Sequence, residues 1–363
     1  MIQFMNLSRQ YERHKDEFHA AITAVCEKTA FAGGPFVAEF EGKFAEYTKT
    51  KAAAGVNNGT TALHLALLAL GIKAGDEIII PANTFIATAW VASYVGAVPV
   101  FVDCTPDTWN IDPALIEKAI TPKTKAIIGV HLYGQPFDID PVAEIAKKHG
   151  LFLVEDCAQA HGAIYKGKVI GGLSEIGCYS FYPGKNLGAY GEAGAVVSQN
   201  EDYIAHIQRL KNHGSSVQYF HDEVGFNMRM EGIQAAILSC KLKYIDEWTK
   251  SRQAVANKYF EGIKNDKIVL PYIMPETESV FHLFVIKTDN REKFLEHMKA
   301  NGVNCGQHYP VPCHLQKAYA HLGYKEGSLP NAEDLAARCV SLPMFPELTD
   351  DEIKTVIDAV NNY

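Results

Sequence analysis

Seven short apolar runs separated by longer amphipathic stretches occupy the first two-thirds of the chain. They are Ala52–Val56, Glu77–Ile80, Val98–Val102, Lys125–Val130, Leu151–Glu155, Gly177–Tyr182 and Ala193–Ser198. Most are nearly continuous in aliphatic and β-branched residues, which marks strands covered on both faces, since a strand with one wet face alternates instead. Helix-like segments lie between them. Thr60–Leu70 stops at Gly71, Pro113–Ile120 follows the N-cap candidate Asp112, and Pro141–His149 stops at Gly150. Strand–helix–strand repetition of this kind predicts an α/β fold with a large, mainly parallel sheet flanked by helices.

The pattern changes after about residue 238. A long helix from Ile233 to about Tyr259 is expected, then a strand at Phe281–Lys287, a helix at Arg291–Asn301, a Pro-rich loop (HYPVPCHLQ, 308–316) and a terminal helix at Asp350–Asn361. The expected division is a large α/β domain over 1–240 and a small C-terminal α+β domain over 241–363. With 363 residues, 47% of them hydrophobic, each can bury a core of its own.

Several function classes fall away. No run approaches the ~18 apolar residues of a membrane span. The N-terminal MIQFMNLSRQYERHKDEF turns charged too early for a signal peptide, so a cytoplasmic protein is expected. Thirty-four Lys and Arg against 42 Asp and Glu give a net charge of −8, the wrong sign for bulk nucleic-acid binding. The short basic stretches at Lys147-Lys148 and Lys241 to Lys243 read as solvated helix faces. Eight cysteines show no C-x-x-C pair, so reduced thiols and no metal site are expected. The dinucleotide fingerprint G-x-G-x-x-G, the Walker A loop, H-E-x-x-H and G-x-S-x-G do not occur.

Three segments carry chemistry. In Val56-Asn57-Asn58-Gly59-Thr60-Thr61 a strand ends, a small turn follows and a helix begins. The N–H groups of Gly59 and Thr60 and the Thr60 hydroxyl would face an anion there, although an ordinary N-cap has the same composition. In LFLVEDCAQAHG (151–162) Glu155 and Asp156 end a buried strand. A buried carboxylate at that place calls for a cation such as a protonated pyridine nitrogen, or else Asp156 caps the next helix. In CYSFYPGKNLGAYGEAG (178–194) Lys185 sits on a Gly-rich turn between two buried strands, where a desolvated amine can lose its proton and form an imine with a carbonyl. Ser180, on the strand before it, can add a hydroxyl to a phosphate site. Anion cradle, strand-end acid and turn-borne lysine together are the parts of a pyridoxal phosphate (PLP) site.

With NNGTTAL (57–63), PANTFIAT (81–88), VHLYGQP (130–136), VEDCAQAHGA (154–163), SFYPGKNLGAYGEAGAVV (180–197), GFNMRM (225–230), HYPVPCHLQ (308–316) and SLPMFPEL (341–348), the whole chain resembles the DegT-type nucleotide-sugar aminotransferases of PLP fold type I, the aspartate-aminotransferase-like fold. The resemblance implies that Lys185 holds PLP as an imine and then moves the proton. It implies that Asp156 pairs with the pyridinium nitrogen, Gln159 contacts the ring hydroxyl, and Phe85 stacks on the ring. Gly59, Thr60 and Ser180 would hold the phosphate, with Asn227 reaching the phosphate of the neighbouring subunit in an obligate homodimer. His161, Tyr182 and His308 are candidate sugar or nucleotide contacts, with His161 also able to stabilise its loop and His308 the domain interface.

Lysine rather than histidine at 185 separates the chain from a related sugar-dehydratase branch. The YPGKNLGAYG form resembles members that aminate C3. The expected reaction transfers an amino group from L-glutamate to a nucleotide-linked, dTDP-type 3-oxo-6-deoxyhexose. Amination at C4, a UDP-3-oxo sugar substrate, an enzyme of amino acids alone and a non-catalytic PLP-fold regulator are the rivals. Lys211 stands where similar chains carry arginine, and as a point charge rather than a fork it would alter amino-donor affinity.

Overall fold

The apolar runs pair into one sheet. The protein is described here by a computed structural model covering Met1–Tyr363. In chain order its elements are α1 (Leu7–Glu27), α2 (Pro35–Thr48), β1 (Ala52–Val56), α3 (Gly59–Ala69), β2 (Glu77–Pro81), α4 (Ala87–Tyr94), β3 (Val98–Val102), α5 (Pro113–Ala119), β4 (Thr124–Val130), α6 (Ile139–His149) and β5 (Phe152–Asp156). A small hairpin, β6 (Ile164–Tyr165) and β7 (Lys168–Val169), precedes β8 (Ile176–Ser180), β9 (Gly194–Ser198), α7 (Glu201–Leu210), α8 (Gly232–Lys241) and α9 (Ile245–Gly262). Then follow β10 (Ile268–Val269), β11 (Thr277–Glu278), β12 (Phe284–Thr288), α10 (Arg291–Ala300), α11 (Pro330–Arg338), β13 (Cys339–Leu342) and α12 (Asp350–Asn361).

The large sheet has the order β1-β9-β8-β5-β4-β2-β3. β2, β3, β4, β5 and β8 pair in parallel, and β9 runs antiparallel to both β8 and β1, so six strands share one direction. Alternate residues feed opposite faces. Ile79, Ile127, Leu153 and Val197 join Phe40, Phe44 and Phe137 in one core, while Ile78, Ile80, Ile128, Val154 and Val196 join Leu63, Leu65 and Leu67 in the other. Both faces are therefore dry, which is why the runs are continuous and not alternating. Each fully buried Phe or Leu contributes roughly 2 kcal/mol of transfer free energy.

Residues after Ile263 build a second sheet, β10-β12-β13, around a separate core of Phe284, Ile286, Phe294, Val340, Leu342 and Val356. The N-terminal residues join it. Ile2 bridges to Val303 and lies in that core, and Arg9 grips Glu352 with two hydrogen bonds of 2.6 and 2.7 Å. A division into 1–240 and 241–363 thus leaves out residues that pack with the C-terminal unit. The expected helix from Ile233 to Tyr259 is also not continuous. A tighter 3₁₀ turn at Leu242–Tyr244 separates α8, which packs on α1 and α2, from α9, which packs on α12. Lys241 is the last residue before this break. It is buried and donates 2.8 Å to the Gly188 carbonyl, so the solvated-face reading holds for Lys243 and fails for Lys241.

The cysteines are all free thiols. No helix is long and apolar enough to cross a membrane.

Gly129 in β4 faces Phe137, and a Cβ there would lie 2.3 Å from the ring. Gly129→Ala is expected to lower unfolding stability by about 1–3 kcal/mol through overpacking, read from the denaturant midpoint against wild type.

Candidate active site

The parallel strands end along one edge of the sheet, and the segments that follow β1, β2, β4, β5 and β8 converge there, as the topology of open α/β sheets requires. Gly59 and Thr60 follow β1, Phe85 and Thr88 follow β2, Tyr133 follows β4, Asp156 and Gln159 end and follow β5, and Ser180 and Lys185 end and follow β8.

Asn58 caps α3, its Oδ1 accepting from Thr61 N at 2.8 Å, and its carbonyl takes Ala62 N. The N–H groups of Gly59 and Thr60 are left without partners in the chain, at the positive end of an 11-residue helix. Gly59 packs so closely on β8 that a Cβ would lie 2.6 Å from Ser180 Cβ. On the other side, a Cβ at Gly194 would meet the Asn58 backbone at 2.5 Å. These contacts bring Gly59, Thr60 and Ser180 together into a concave set of donors shaped for a phosphate.

Asp156 is 5% exposed. Its Oδ2 accepts from Thr88 Oγ1 (2.9 Å) and Oδ1 from Ala158 N (3.1 Å), and it makes no ion pair within the chain. Burial raises its pKa above the ordinary carboxylate value, against those hydrogen bonds and the charge of Lys185. The neighbouring Glu155 points to the opposite face and does different work. It accepts from His131 Nε2 (3.2 Å), Gly171 N (2.7 Å), Leu173 N (2.9 Å), and Ser174 N and Oγ (2.9 and 3.0 Å), which fixes the 171–174 turn. Of the two acids only Asp156 has unspent capacity, and a protonated pyridine nitrogen is the cation that would use it.

Gln159 is buried. Its Oε1 accepts from Tyr133 N at 2.7 Å and its Nε2 donates to Tyr309 Oη at 3.0 Å, which leaves one amide N–H uncommitted for a phenolic oxygen. Phe85 is 48% exposed, with its ring 5.6 Å from that of Tyr309. An aromatic ring held that open is suited to stacking.

Lys185 closes a turn through its N–H to the Tyr182 carbonyl (2.8 Å), and Ala189 N returns to Phe181 O (2.8 Å). Desolvation lowers its amine to about 8, against the pull of Asp156. Cradle, uncompensated acid and depressed amine fit the three ends of PLP: phosphate, pyridine nitrogen and aldehyde.

The substrate candidates separate. Tyr182 is exposed at the mouth of the turn. His308 is only partly buried; it stacks on Phe4 (5.5 Å between ring centres) and bonds Ser341 Oγ through Nδ1 (2.8 Å), and burial takes it down to about 4. It therefore sits at the join between the N-terminal strap and the second sheet. His161 does not line the cleft. It is fully buried against Tyr179 and Phe181, its Nε2 donates to the Ser180 carbonyl at 2.9 Å, and burial drives it down to about 3. It braces the strand that carries Ser180.

Lys211 is likewise committed inside the protein, to Glu41 Oε1 (2.8 Å) and Gly55 O (2.7 Å) at 5% exposure, which takes it out of amino-donor binding by its own chain. Asn227 is exposed, in an isolated bridge with Asn212, and its side chain makes no hydrogen bond to the Gly59–Ser180 cradle of its own chain. Thr88 and Tyr309 are site residues to which the sequence reading gave no role. Both lie in motifs singled out there; Thr84, in the bend before α4, and Thr88, in its first turn, have hydroxyls 3.0 Å apart.

Two outcomes follow from this geometry. Gly59→Ala should weaken PLP binding about tenfold or more by forcing α3 away from Ser180, measured by fluorescence titration of the apo protein. Capture of PLP by the apo protein should accelerate about tenfold per pH unit and level off above pH 8, not near the ~10.4 of an ordinary lysine, with no capture in Lys185→Ala.

The description of the DegT/DnrJ/EryC1/StrS aminotransferase family matches residues 12–361. The chain is 44% identical, over 100% of its length and 96% of the relative's, to a dTDP-3-amino-3,4,6-trideoxy-alpha-D-glucose transaminase of Streptomyces venezuelae. It is 42% identical, over 100% of its length and 98% of the relative's, to a protein of Geobacillus stearothermophilus named pleiotropic regulatory protein. Its fold superposes on the crystal structure of S. venezuelae DesV in complex with a ketimine intermediate with a TM-score of 0.98, 44% identity, and coverage of 99% of this chain and 98% of that one. Other solved structures of this fold hold the cofactor as PLP or as pyridoxamine phosphate. The chain belongs to the DegT/DnrJ/EryC1/StrS aminotransferase family, with pyridoxal phosphate as its cofactor.

Proposed function

We propose that the protein is a homodimeric sugar 3-aminotransferase, taking an amino group from L-glutamate and placing it on the C3 keto group of a dTDP-linked 3-oxo-6-deoxyhexose to give a 3-amino-3,6-dideoxyhexose. The observation that carries transamination is the depressed amine of Lys185 on its glycine turn, beside a buried Asp156 that has no other cation. The sugar assignment is supported by the name of the Streptomyces relative, a dTDP-3-amino sugar transaminase, and by the YPGKNLGAYG form of the turn.

When bound, the cofactor supplies an electron sink for the transferred amino group. The chain's residues do the rest. Asp156 keeps the pyridine nitrogen protonated by accepting its N–H. Gln159 offers its free N–H to the ring oxygen. The unpaired N–H groups of Gly59 and Thr60, with the Ser180 hydroxyl, anchor the phosphate. Lys185 Nζ, with its amine at about 8, is about one-tenth unprotonated at pH 7 against far less for an ordinary lysine, so it can accept a proton from the donor carbon and return it to the cofactor carbon.

Dimer formation is supported by the excursion between Lys211 and Asn227. Val217, Tyr219, Phe220 and Val224 on it are 60–90% exposed, apolar surface with no cover in its own chain. On this reading the excursion lies on the partner subunit and carries Asn227 to the partner's phosphate cradle.

The relative named as a regulatory protein favours a second reading, a PLP-fold protein that binds nucleotide sugars without turnover. A spectrum separates the two. On the enzymatic reading L-glutamate converts the visible cofactor band of wild type to a near-ultraviolet one, and NMR of the product made from a 3-oxo sugar shows nitrogen at C3. A band indifferent to every amino donor would establish the regulator instead. Shared sites have their own signature. Co-expressed Lys185→Ala and Asn227→Ala chains should recover activity at about one site in two of each mixed dimer, although each variant alone is inactive.

A further inference from the structure

Lys185 makes no side-chain hydrogen bond within the chain, so its direction is set by the turn that carries it. Asn186, the next residue, is 5% exposed and points away from the turn, into the segment leading to β12. Its Nδ2 donates to the Val280 carbonyl at 3.0 Å and its Oδ1 lies 3.2 Å from Nδ1 of His282. A carbonyl only accepts, so Nδ2 must face Val280 and Oδ1 must face the imidazole. The imidazole then carries its proton on Nδ1.

The segment beyond is held firmly. Arg252, buried on α9, donates to the carbonyls of Phe281 (3.2 Å), His282 (3.4 Å) and Met344 (3.0 Å). Gly134 (φ +105°) approaches so closely that a Cβ there would lie 2.8 Å from the His282 nitrogen. The charged or titratable groups facing His282 are Lys185, Arg252, His308 and His161, and burial together with them keeps its pKa well below the usual histidine value.

We propose that Asn186 and His282 are a positioning pair for Lys185. Asn186 ties the lysine turn to the clamped Val280–His282 segment and holds the imidazole in its neutral Nδ1–H form, so that the Lys185 amine keeps one direction in dry, uncrowded surroundings. The pair acts through Lys185 and rests on the reading of Lys185 as the reacting amine. A loosened turn would hydrate the protonated amine and raise its midpoint, which the tie prevents.

The test is the pH dependence of Lys185 reactivity in the apo protein, trapped by pyridoxal and borohydride and located by peptide mass spectrometry. Asn186→Ala and His282→Gln, which remove the tie, should move the midpoint up by about one pH unit, a tenfold smaller free-amine fraction at neutrality. His282→Asn places an amide N–H where Nδ1–H stood and should restore the wild-type midpoint. In the holoenzyme the untied variants should lose about tenfold in kcat with little change in KM for the amino donor. Circular dichroism confirms that each variant is folded. If Asn186 proves indispensable to folding, the contrast of His282→Asn with His282→Gln decides. A wild-type midpoint in the untied variants, or equal damage from His282→Asn and His282→Gln, overturns the pair. Trapping that Lys185→Ala leaves undiminished overturns the reading of Lys185 itself.

Discussion

A carboxylate sealed at the end of a strand organises this site. Asp156 has two side-chain hydrogen bonds and no ion pair within the chain, in surroundings that disfavour its charge. A buried charge without an ion pair is costly, and on the proposed reading a cationic ring completes the environment. The sheet places the acid at its C-terminal edge, Thr88 from the first turn of α4 donates to it, and the lysine arrives from the loop after β8. Remove the cation-seeking acid and the unpaired helix N-terminus, the open aromatic ring and the dry amine lose their common purpose.

Much of this was readable from residues alone. The seven strands fall within a residue or two of the expected runs, because strands buried on both faces leave an unbroken apolar trace that needs no tertiary knowledge. Terminal helix α12 has the expected bounds, framed by a capping box of Thr349 and Glu352. Gly59, Asp156, Ser180 and Lys185 lie where the sequence reading placed them, each at or just beyond the end of a strand, where doubly wound sheets keep their ligands.

What escaped depends on contacts made across the fold. Lys241 looks in sequence like a solvated charge and Lys211 like a ligand-binding one, yet each is drawn inward to a backbone carbonyl, Gly188 in one case and Gly55 in the other. No local pattern marks which carbonyls a fold will leave bare. His161, in the motif VEDCAQAHGA and read as either a substrate contact or a brace for its loop, packs against Tyr179 and Phe181. Thr88 bonds Asp156 and Tyr309 bonds Gln159 from segments more than 200 residues apart, a juxtaposition that only the folded chain reveals.

The N-terminal strap ties the architecture to time. Ile2 finds its strand partner in Val303, Phe4 its stacking partner in His308, and Arg9 its carboxylate in Glu352. On the ribosome, the seven-stranded sheet has all of its strands once residue 198 has emerged, while residues 2–9 still lack what they bind. The join between the N-terminal strap and the second sheet, where Phe4 meets His308, is therefore among the last parts to close. A nascent chain can carry a finished sheet, with its lysine and acid in place, well before it carries a finished enzyme.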